Sequence, residues 1–331
     1  MKSLTIIIPT YNRPKELIRL LGIINSEIEQ LKNVDYLDVI VRDNSESTET
    51  KNIVEQSEFA GKAWLNYRKN IGNVGFDSNV LNSFCEAKGD YVWLVGDDDI
   101  IFKDSIRKVF ELIELNPDLL HLPFKQPQDL TKPQYQSVPK LKYWTTAQGA
   151  VEQVLANIKI TSFVFKNITP LLDGEKLSKL YSKSGWMHLV LAFEVLFHSK
   201  EITTISSAEF FAGSLDKEWK VLSWTPAAVF SARTLYKHEI FSKYQLKEQI
   251  KKFEFDMYLG GLDMTLYVTG GIWFTNLPLK EYFDFGAKYP FMTDLLFKPG
   301  FLMKYIFIKF RIGPWFGRLN KVYQKTKLVF K

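Results

Sequence analysis

Apolar positions along the chain switch between a continuous or alternating pattern and a helical one, and each switch marks an element. Leu4 to Ile8, apolar but for the β-branched Thr5, predicts a strand, and Pro9-Thr10-Tyr11-Asn12-Arg13-Pro14 is a polar turn. Leu17, Ile18, Leu20, Leu21 and Ile24 then recur at helical spacing, with Pro14 where a first-turn proline is tolerated. The pattern repeats with a strand at Leu37–Val41, a polar helix from about Thr48 to Gln56, a strand at Trp64–Arg68, and a helix carrying Val80, Leu81 and Phe84. Tyr91-Val92-Trp93-Leu94-Val95 reads as a strand buried on both faces, and a helix follows over Lys103–Leu115 with a strand at Leu119–Phe124. Strands alternating with helices across short turns predict a parallel, doubly wound α/β sheet.

The second half is less regular. Lys125–Tyr143, rich in proline and glutamine, predicts a long surface loop. Beyond it the pattern predicts a helix at Ala147–Ala156, a strand at Thr161–Phe165, an apolar helix at Trp186–Phe197 and a strand at Glu201–Ser206. Ala227–Gly271 reads as mostly helical, interrupted at Gly260-Gly261 and Gly270-Gly271.

The strand at Tyr91 runs directly into Asp97-Asp98-Asp99. The carboxyl edge of such a sheet is where ligands bind. Three adjacent carboxylates repel one another and need protons, basic side chains or a cation to offset the charge. Hard oxygen ligands suit Mg²⁺ or Mn²⁺. The competing reading is a solvated acidic turn that caps the next helix.

Composition narrows the class. The 331 residues include one cysteine, Cys85, so an intramolecular disulfide framework is excluded and a reducing compartment is expected. Met1 to Pro9 is too short an apolar stretch for a signal peptide, and no stretch reaches the roughly 18 apolar residues of a membrane span. The net charge is +6, yet Lys298 to Lys331 holds nine Lys/Arg and no acid, so the body is mildly acidic and the tail strongly basic. That tail mixes aromatic and aliphatic residues with its cations and suits an anionic membrane surface, the alternative being a packed helix with a solvated basic face. No nucleic-acid reader fold accompanies the charge, so nucleic acid is not an expected partner.

Four motifs stand at successive strand ends: Ile8-Pro9-Thr10-Tyr11-Asn12-Arg13, Arg42-Asp43-Asn44-Ser45, Asn70-Ile71-Gly72 and Gly96-Asp97-Asp98-Asp99. In that order they resemble the family 2 glycosyltransferases of GT-A fold, over about Ser3 to Phe124. The resemblance implies an α/β, Rossmann-like, mostly parallel doubly wound sheet with a mainly helical C-terminal extension. It implies a transferase domain over 1–222, with a nucleotide-sugar half (1–124) and an acceptor half (125–222), followed by a helical region (223–331) ending in the basic tail (298–331).

By matching position, Pro9, Thr10, Tyr11, Asn12 and Arg13 would wall the nucleotide, and Asp43 would accept a hydrogen bond from the base, unless it is a helix cap. Asn70 and Gly72 would let backbone approach the nucleoside. Asp98, together with Asp99, would ligate Mg²⁺ or Mn²⁺, and Asp97 would line the donor. Many members read Asp-Ser-Asp-Asp where this chain has Gly96-Asp97-Asp98-Asp99, so the first carboxylate is missing and Asp97 or Asp99 is left to replace it. Arg42 stands where an acid often precedes the base-binding aspartate, which leaves the nucleotide open.

Members also carry Glu-Asp at the head of a helix in the second half, where this chain reads Ser184-Gly185-Trp186-Met187-His188. His188 is one candidate base, since an imidazole titrates near neutrality; Asp216 and Glu218 are the others. Trp186 and Trp219 are candidate sugar platforms. The aspartate variant and the Trp186–His188 stretch look like the abequosyltransferases of O-antigen assembly.

The implied activity is inverting, metal-dependent transfer from a nucleotide-sugar to a hydroxyl of a polyprenyl-linked surface glycan precursor, on the cytoplasmic face of the membrane. A catalytically silent donor-binding subunit is the alternative. A nucleotidyltransferase is disfavoured because Pro9–Pro14 has no glycine, and a receiver-like domain because it is much shorter.

Overall fold

The computed structural model describes residues 2–31, 36–125, 141–156, 158–182, 184–207, 211–214 and 233–250. All lie in the first of two compact units, Met1–Trp219 with Ala227–Phe255; the second, Lys220–Pro226 with Asp256–Lys331, falls outside the described residues. The expected helices of 251–271 and the basic tail 298–331 therefore also lie outside them.

The first half is the anticipated βα series: β1 (Leu4–Thr10), α1 (Pro14–Ile28), β2 (Leu37–Asp43), α2 (Glu49–Gln56), β3 (Leu65–Lys69), α3 (Phe76–Glu86) and β4 (Tyr91–Leu94). Every residue of β1 and β4 is buried, as their largely apolar, β-branched and aromatic sequences suit strands covered on both faces. Helix α1 buries Leu17, Leu20, Leu21, Ile24 and Ile28 along one stripe, and these pack with Ile6, Ile8, Val39 and Trp93 of the sheet.

Next come β5 (Asp99–Ile101), α4 (Ser105–Ile113), β6 (Leu119–His121), β7 (Phe124–Lys125), β8 (Leu141–Trp144), α5 (Ala147–Ala156), β9 (Phe163–Lys166), α6 (Gly174–Tyr181), α7 (Met187–His198), β10 (Thr204–Ser207) and β11 (Ala212–Ser214). After a 3₁₀ turn, Arg233–Lys237, the short helix α8 (Ile240–Lys243) packs on α7.

The main sheet has the order β3-β2-β1-β4-β9-β6-β10-β8. β1 pairs parallel with β2 on one side and β4 on the other, so the strand order reverses between β1 and β4. That reversal opens a crevice at the carboxyl ends of these two strands. β9 lies antiparallel to both β4 and β6, and β8 antiparallel to β10, so the sheet is mixed though mostly parallel. A second sheet, β5-β11-β7, begins at Asp99 and pairs it with Ser214.

Two expectations are corrected. Leu141 to Trp144 is an edge strand rather than the end of a loop, its pairing with β10 being a long-range partnership that local composition does not record. The expected strand Leu119–Phe124 is two short ones in different sheets, parted at Leu122-Pro123 where proline cannot donate to a ladder. Within 233–250 the stretch expected to be mostly helical is a 3₁₀ turn followed by short helical pieces.

The two halves are joined at the start of α3. Asp77 is buried, and its carboxylate accepts from the backbone N–H of Gly185 (2.7 Å) and Met187 (3.0 Å) and from Ser184 Oγ (3.3 Å). The N-cap of α7, Trp186, supplies no side-chain cap, so Asp77 serves the orphan donors at that end from another helix. Asp77→Ala is expected to lower stability by about 2–4 kcal/mol, as two backbone donors and a hydroxyl lose their acceptor, and Asp77→Asn by less. Urea denaturation midpoints at constant m-value check this.

Candidate active site

The acidic turn follows β4. Val95 N–H donates to Ile7 O (2.9 Å), carrying the β1–β4 ladder one residue past the strand, and Asp99 N–H donates to Gly96 O (3.1 Å) to close the turn. The three carboxylates go to three different places. Asp97 is buried: its Oδ2 accepts from Thr10 Oγ1 at 2.7 Å and its Oδ1 faces Arg13 Nη1 at 3.1 Å. Burial pushes its pKa up to about 6, against the opposing pull of the Thr10 hydroxyl and the Arg13 charge. Asp99 is also buried and turns away, accepting from Thr161 Oγ1 with Lys159 nearby. Burial raises its pKa, and burial lowers that of Lys159.

Asp98 is the exposed member, with about a third of its side chain open to solvent (34%). Its Oδ2 lies 2.6 Å from Arg13 Nη1, and its backbone carbonyl accepts from Arg19 Nη2 at 2.9 Å. The turn is thus not the solvated acidic cap that the sequence also allowed, because Asp97 and Asp99 are inside the protein and α4 has no side-chain cap.

Gly96 explains the missing first carboxylate of the family pattern. A Cβ there would stand 2.8 Å from Asp99 Oδ2 and 3.3 Å from Asp98 Oδ1, so any side chain would collide with the inward-turned carboxylate. Thr161 fixes that turn from the β9 side. Its hydroxyl donates to Asp99 and accepts from Gly96 N–H (3.0 Å), while its carbonyl accepts from Trp93 Nε1 (2.9 Å).

Across the crevice a polar net joins the ends of β2 and β3. Asp43 is fully buried; Oδ1 accepts from Ser45 N–H (2.8 Å) and Oδ2 from Tyr67 OH (2.5 Å). The expectation that Asp43 could be a helix cap is not met, since the N-cap of α2 is Thr48. Ser45 Oγ accepts from Asn12 N–H (2.8 Å), where Asn12 takes a left-handed φ of 54° that asparagine tolerates. Asn44 Oδ1 accepts from Asn70 Nδ2 (3.0 Å) and Val74 N–H (2.9 Å), and Asn70 Nδ2 also donates to Asn79 Oδ1 (2.7 Å). Arg42 is drawn into the same net through Asn70 Oδ1 (2.7 Å) and Glu86 (2.7 Å). Thr10 pairs with Asp43 in the β1–β2 ladder and Asn12 reaches Ser45, so the end of β1 lies beside the end of β2, and Tyr11 is half exposed.

His188 sits in the first turn of α7. Its Nε2–H donates to Ile158 O (2.9 Å), its ring packs against Trp186 and edge-on to Phe76, and its Nδ1 is buried without a partner among the described residues. Burial pushes its pKa down to about 4, so the imidazole is neutral and a weak base. Trp186 is wholly buried, which corrects its expected role as an open sugar platform. Asp216, Glu218 and Trp219 lie outside the described residues.

Sequence reasoning missed Thr161, Lys159, Arg19, Tyr67 and Asp77. Only the recurrence of asparagine near strand ends (Asn44, Asn70, Asn73, Asn79) hinted at the polar net.

Asp98, the carboxylate left open to solvent, could hold a hard divalent cation of the kind that takes one or two protein carboxylates and fills its shell with phosphate and water. No group of three or more His, Cys, Asp or Glu side chains able to hold a metal occurs among the described residues, which argues against an all-protein cage.

Strand order, crevice and acidic edge together define a GT-A-type α/β domain. Residues 5–165 match the sequence family "Glycosyl transferase family 2", and the chain carries a domain of that family. Abequosyltransferase RfbV of Salmonella typhimurium is 33% identical over 112 residues, which is 34% of this chain and 33% of that protein, so the match spans about a third of the relative. TarS 1–349 of S. aureus in complex with UDP-GlcNAc shares the fold with a TM-score of 0.55 at 18% identity, over 84% of this chain and 77% of that one. The mannosyltransferase PcManGT of Pyrobaculum calidifontis, in complex with GDP-Man and Mn²⁺, matches with a TM-score of 0.51 at 15% identity, over 93% and 87%. No helix among the described residues is long and apolar enough to cross a membrane.

Thr161→Val keeps the shape but leaves Gly96 N–H and Asp99 without their hydroxyl, and is expected to reduce stability by about 1–3 kcal/mol. Thr161→Ser should recover most of that loss in the same denaturation assay.

Proposed function

We propose that this protein is an inverting, metal-dependent glycosyltransferase that moves a sugar from a nucleotide-sugar to a hydroxyl of a lipid-linked cell-surface glycan precursor, of the O-antigen or capsule kind. One observation carries the reading: of three consecutive carboxylates at the β1–β4 crevice, two are tied inward and Asp98 alone is left at the surface. The RfbV similarity supports the glycan class, and the donors held by TarS and PcManGT support the donor class.

The nucleoside belongs at the ends of β2 and β3 by Asn70 and Gly72, with Tyr11 and Asn12 beyond the end of β1 offering a ring face and a polar edge, and with the fully buried Asp43 ordering Ser45 and Tyr67 rather than meeting the base directly. The diphosphate belongs between Arg13 and the acidic turn, where Asp97 keeps Arg13 and Thr10 in place and Asp98 holds Mg²⁺ or Mn²⁺ with Asp99 behind it. A bound divalent cation supplies Lewis-acid stabilisation of charge on the leaving diphosphate. The acceptor hydroxyl must lose its proton to a base within hydrogen-bond reach. His188 is a poor fit for that task, being buried, weakly basic and tied at Nε2, so the role falls to Asp216 or Glu218. β11 pairs Ser214 with Asp99, and Asp216 follows two residues later in the chain. The basic, aromatic tail 298–331 suits the anionic inner face of the cell membrane, where a polyprenyl-linked acceptor would be found. The burial of His188, with no acid in the first turn of α7 itself and the Asp77 carboxylate engaged by backbone N–H groups, also favours a second reading, a donor-binding subunit without turnover.

Asp98→Asn is expected to abolish metal-dependent transfer and donor hydrolysis while the melting temperature stays close to wild type, because the amide keeps the shape and loses the charge. A thermal-shift panel of UDP, GDP, CDP and dTDP with and without Mn²⁺ identifies the nucleotide. Near wild-type turnover by Asp98→Asn at saturating Mn²⁺ would sink the metal assignment. Failure of the wild type to turn over any donor it binds would favour the silent subunit.

For the base, Asp216→Asn or Glu218→Gln should cut turnover by about 10²–10⁴-fold with little change in the donor Michaelis constant. His188→Gln should act mainly on stability. A large turnover loss confined to His188→Gln would return the role to the imidazole.

A further inference from the structure

Arg13 occupies the place where a cation would meet the acidic turn. A single nitrogen, Nη1, lies 3.1 Å from Asp97 Oδ1 and 2.6 Å from Asp98 Oδ2, so the guanidinium acts as one positive point between two carboxylates rather than as a two-pronged fork on either. The other carboxylate of the turn is not available to relieve this crowding, because Asp99 is held by Thr161 and faces inward beside Lys159. Asp98 itself is fixed from behind through its carbonyl by Arg19. A divalent cation on Asp98 would therefore arrive within a few ångströms of Arg13, and the two positive charges would repel strongly in this half-buried crevice.

The guanidinium has room to leave. Arg13 is the N-cap residue of α1, follows the left-handed Asn12, and has about half of its side chain exposed (49%). What would draw it away is a second anion, and a diphosphate matches the planar donor set of arginine better than a lone carboxylate oxygen does.

We propose that Arg13 stands in for the divalent cation on Asp98 while the donor is absent, and passes to the diphosphate when nucleotide and cation arrive together. This rests on the donor reading above and adds to it a rule of order: the site takes the metal poorly without nucleotide, and each ligand strengthens the other. Such coupling is reciprocal, so the same residue sets the metal dependence of nucleotide binding and the nucleotide dependence of metal binding.

The test is a Mn²⁺ titration followed by the electron paramagnetic resonance of free Mn²⁺, on the full chain, with no nucleotide and with whichever of UDP, GDP, CDP and dTDP raises the wild-type melting temperature most. Removing the resident charge in Arg13→Gln and Arg13→Met is expected to tighten Mn²⁺ binding without nucleotide by about tenfold or more, and to reduce by a similar factor the gain that nucleotide gives. Adding Asp98→Asn to either variant should abolish the tightening, which ties it to this carboxylate. Circular dichroism and melting curves establish that both variants are folded. Unchanged or weaker Mn²⁺ binding by the folded variants without nucleotide would overturn the proposal, even where nucleotide-dependent Mn²⁺ binding by the wild type upholds the donor reading. Conversely, a wild type whose melting temperature and Mn²⁺ affinity respond to none of UDP, GDP, CDP and dTDP counts against the donor reading, while tightening by Arg13→Gln still upholds the displaced-cation assignment.

Discussion

Three adjacent carboxylates at the inner edge of a sheet cannot all face the same way, and the architecture of the site follows from how their charge is shared out. β4 has two neighbours in the sheet, β1 and β9, and each contributes a threonine: Thr10 at the end of β1 takes Asp97, and Thr161 just before β9 takes Asp99. Each side also brings a cation, Arg13 on one and Lys159 on the other. Asp98 is what remains. Its availability is therefore a property of strand order as much as of sequence, since a different neighbour for β4 would leave one of its flanking carboxylates without a hydroxyl.

The same constraint accounts for the absence of a side chain at position 96. In this chain Asp99 folds back over the turn under the hold of Thr161, and the space a Cβ would need is taken by that carboxylate. Gly96 and the inward Asp99 are thus a matched pair, and the departure from the usual acidic pattern is a rearrangement of the turn rather than a simple loss. The nucleoside side is built on another principle. Around Asp43 the partners are amides, hydroxyls and backbone N–H groups, with Arg42 balanced by Glu86, so that wall presents hydrogen-bonding edges with little net charge.

What the sequence revealed follows from how local each signal is. The βα series from Leu4 to Ile113 and the position of the acidic turn were legible, because strand runs, helical stripes and short turns each fit within a window of some ten residues. β8, β11 and the division of 119–125 between two sheets were not, because each exists only through pairing with a strand tens of residues away. For the site, the loops around Arg13, Asp43, Asn70 and Asp98 were readable as motifs. Thr161 and Lys159 were not, since nothing in Lys159-Ile160-Thr161 distinguishes it from ordinary strand entry. His188 illustrates the opposite error. A lone histidine on an apolar stretch suggested chemistry, whereas its neighbours Phe76 and Trp186 bury it and the Ile158 carbonyl fixes its tautomer.

Asp77 links these observations. It stands at the start of α3, the helix that follows the Asn70–Gly75 loop, and its carboxylate fastens the head of α7, the helix whose first turn holds His188. Gly75, with a φ of 83°, provides the reversal that brings Asp77 inward beneath that loop. The Asn70–Gly75 loop and the N-terminus of α7 are thus tied to one another through a buried carboxylate. The start of α7 is fastened by that side chain, while its remaining turns, almost wholly buried, anchor it in the rest of the domain. The two halves of the fold are in this way coupled at the level of hydrogen bonds, before any ligand spans them.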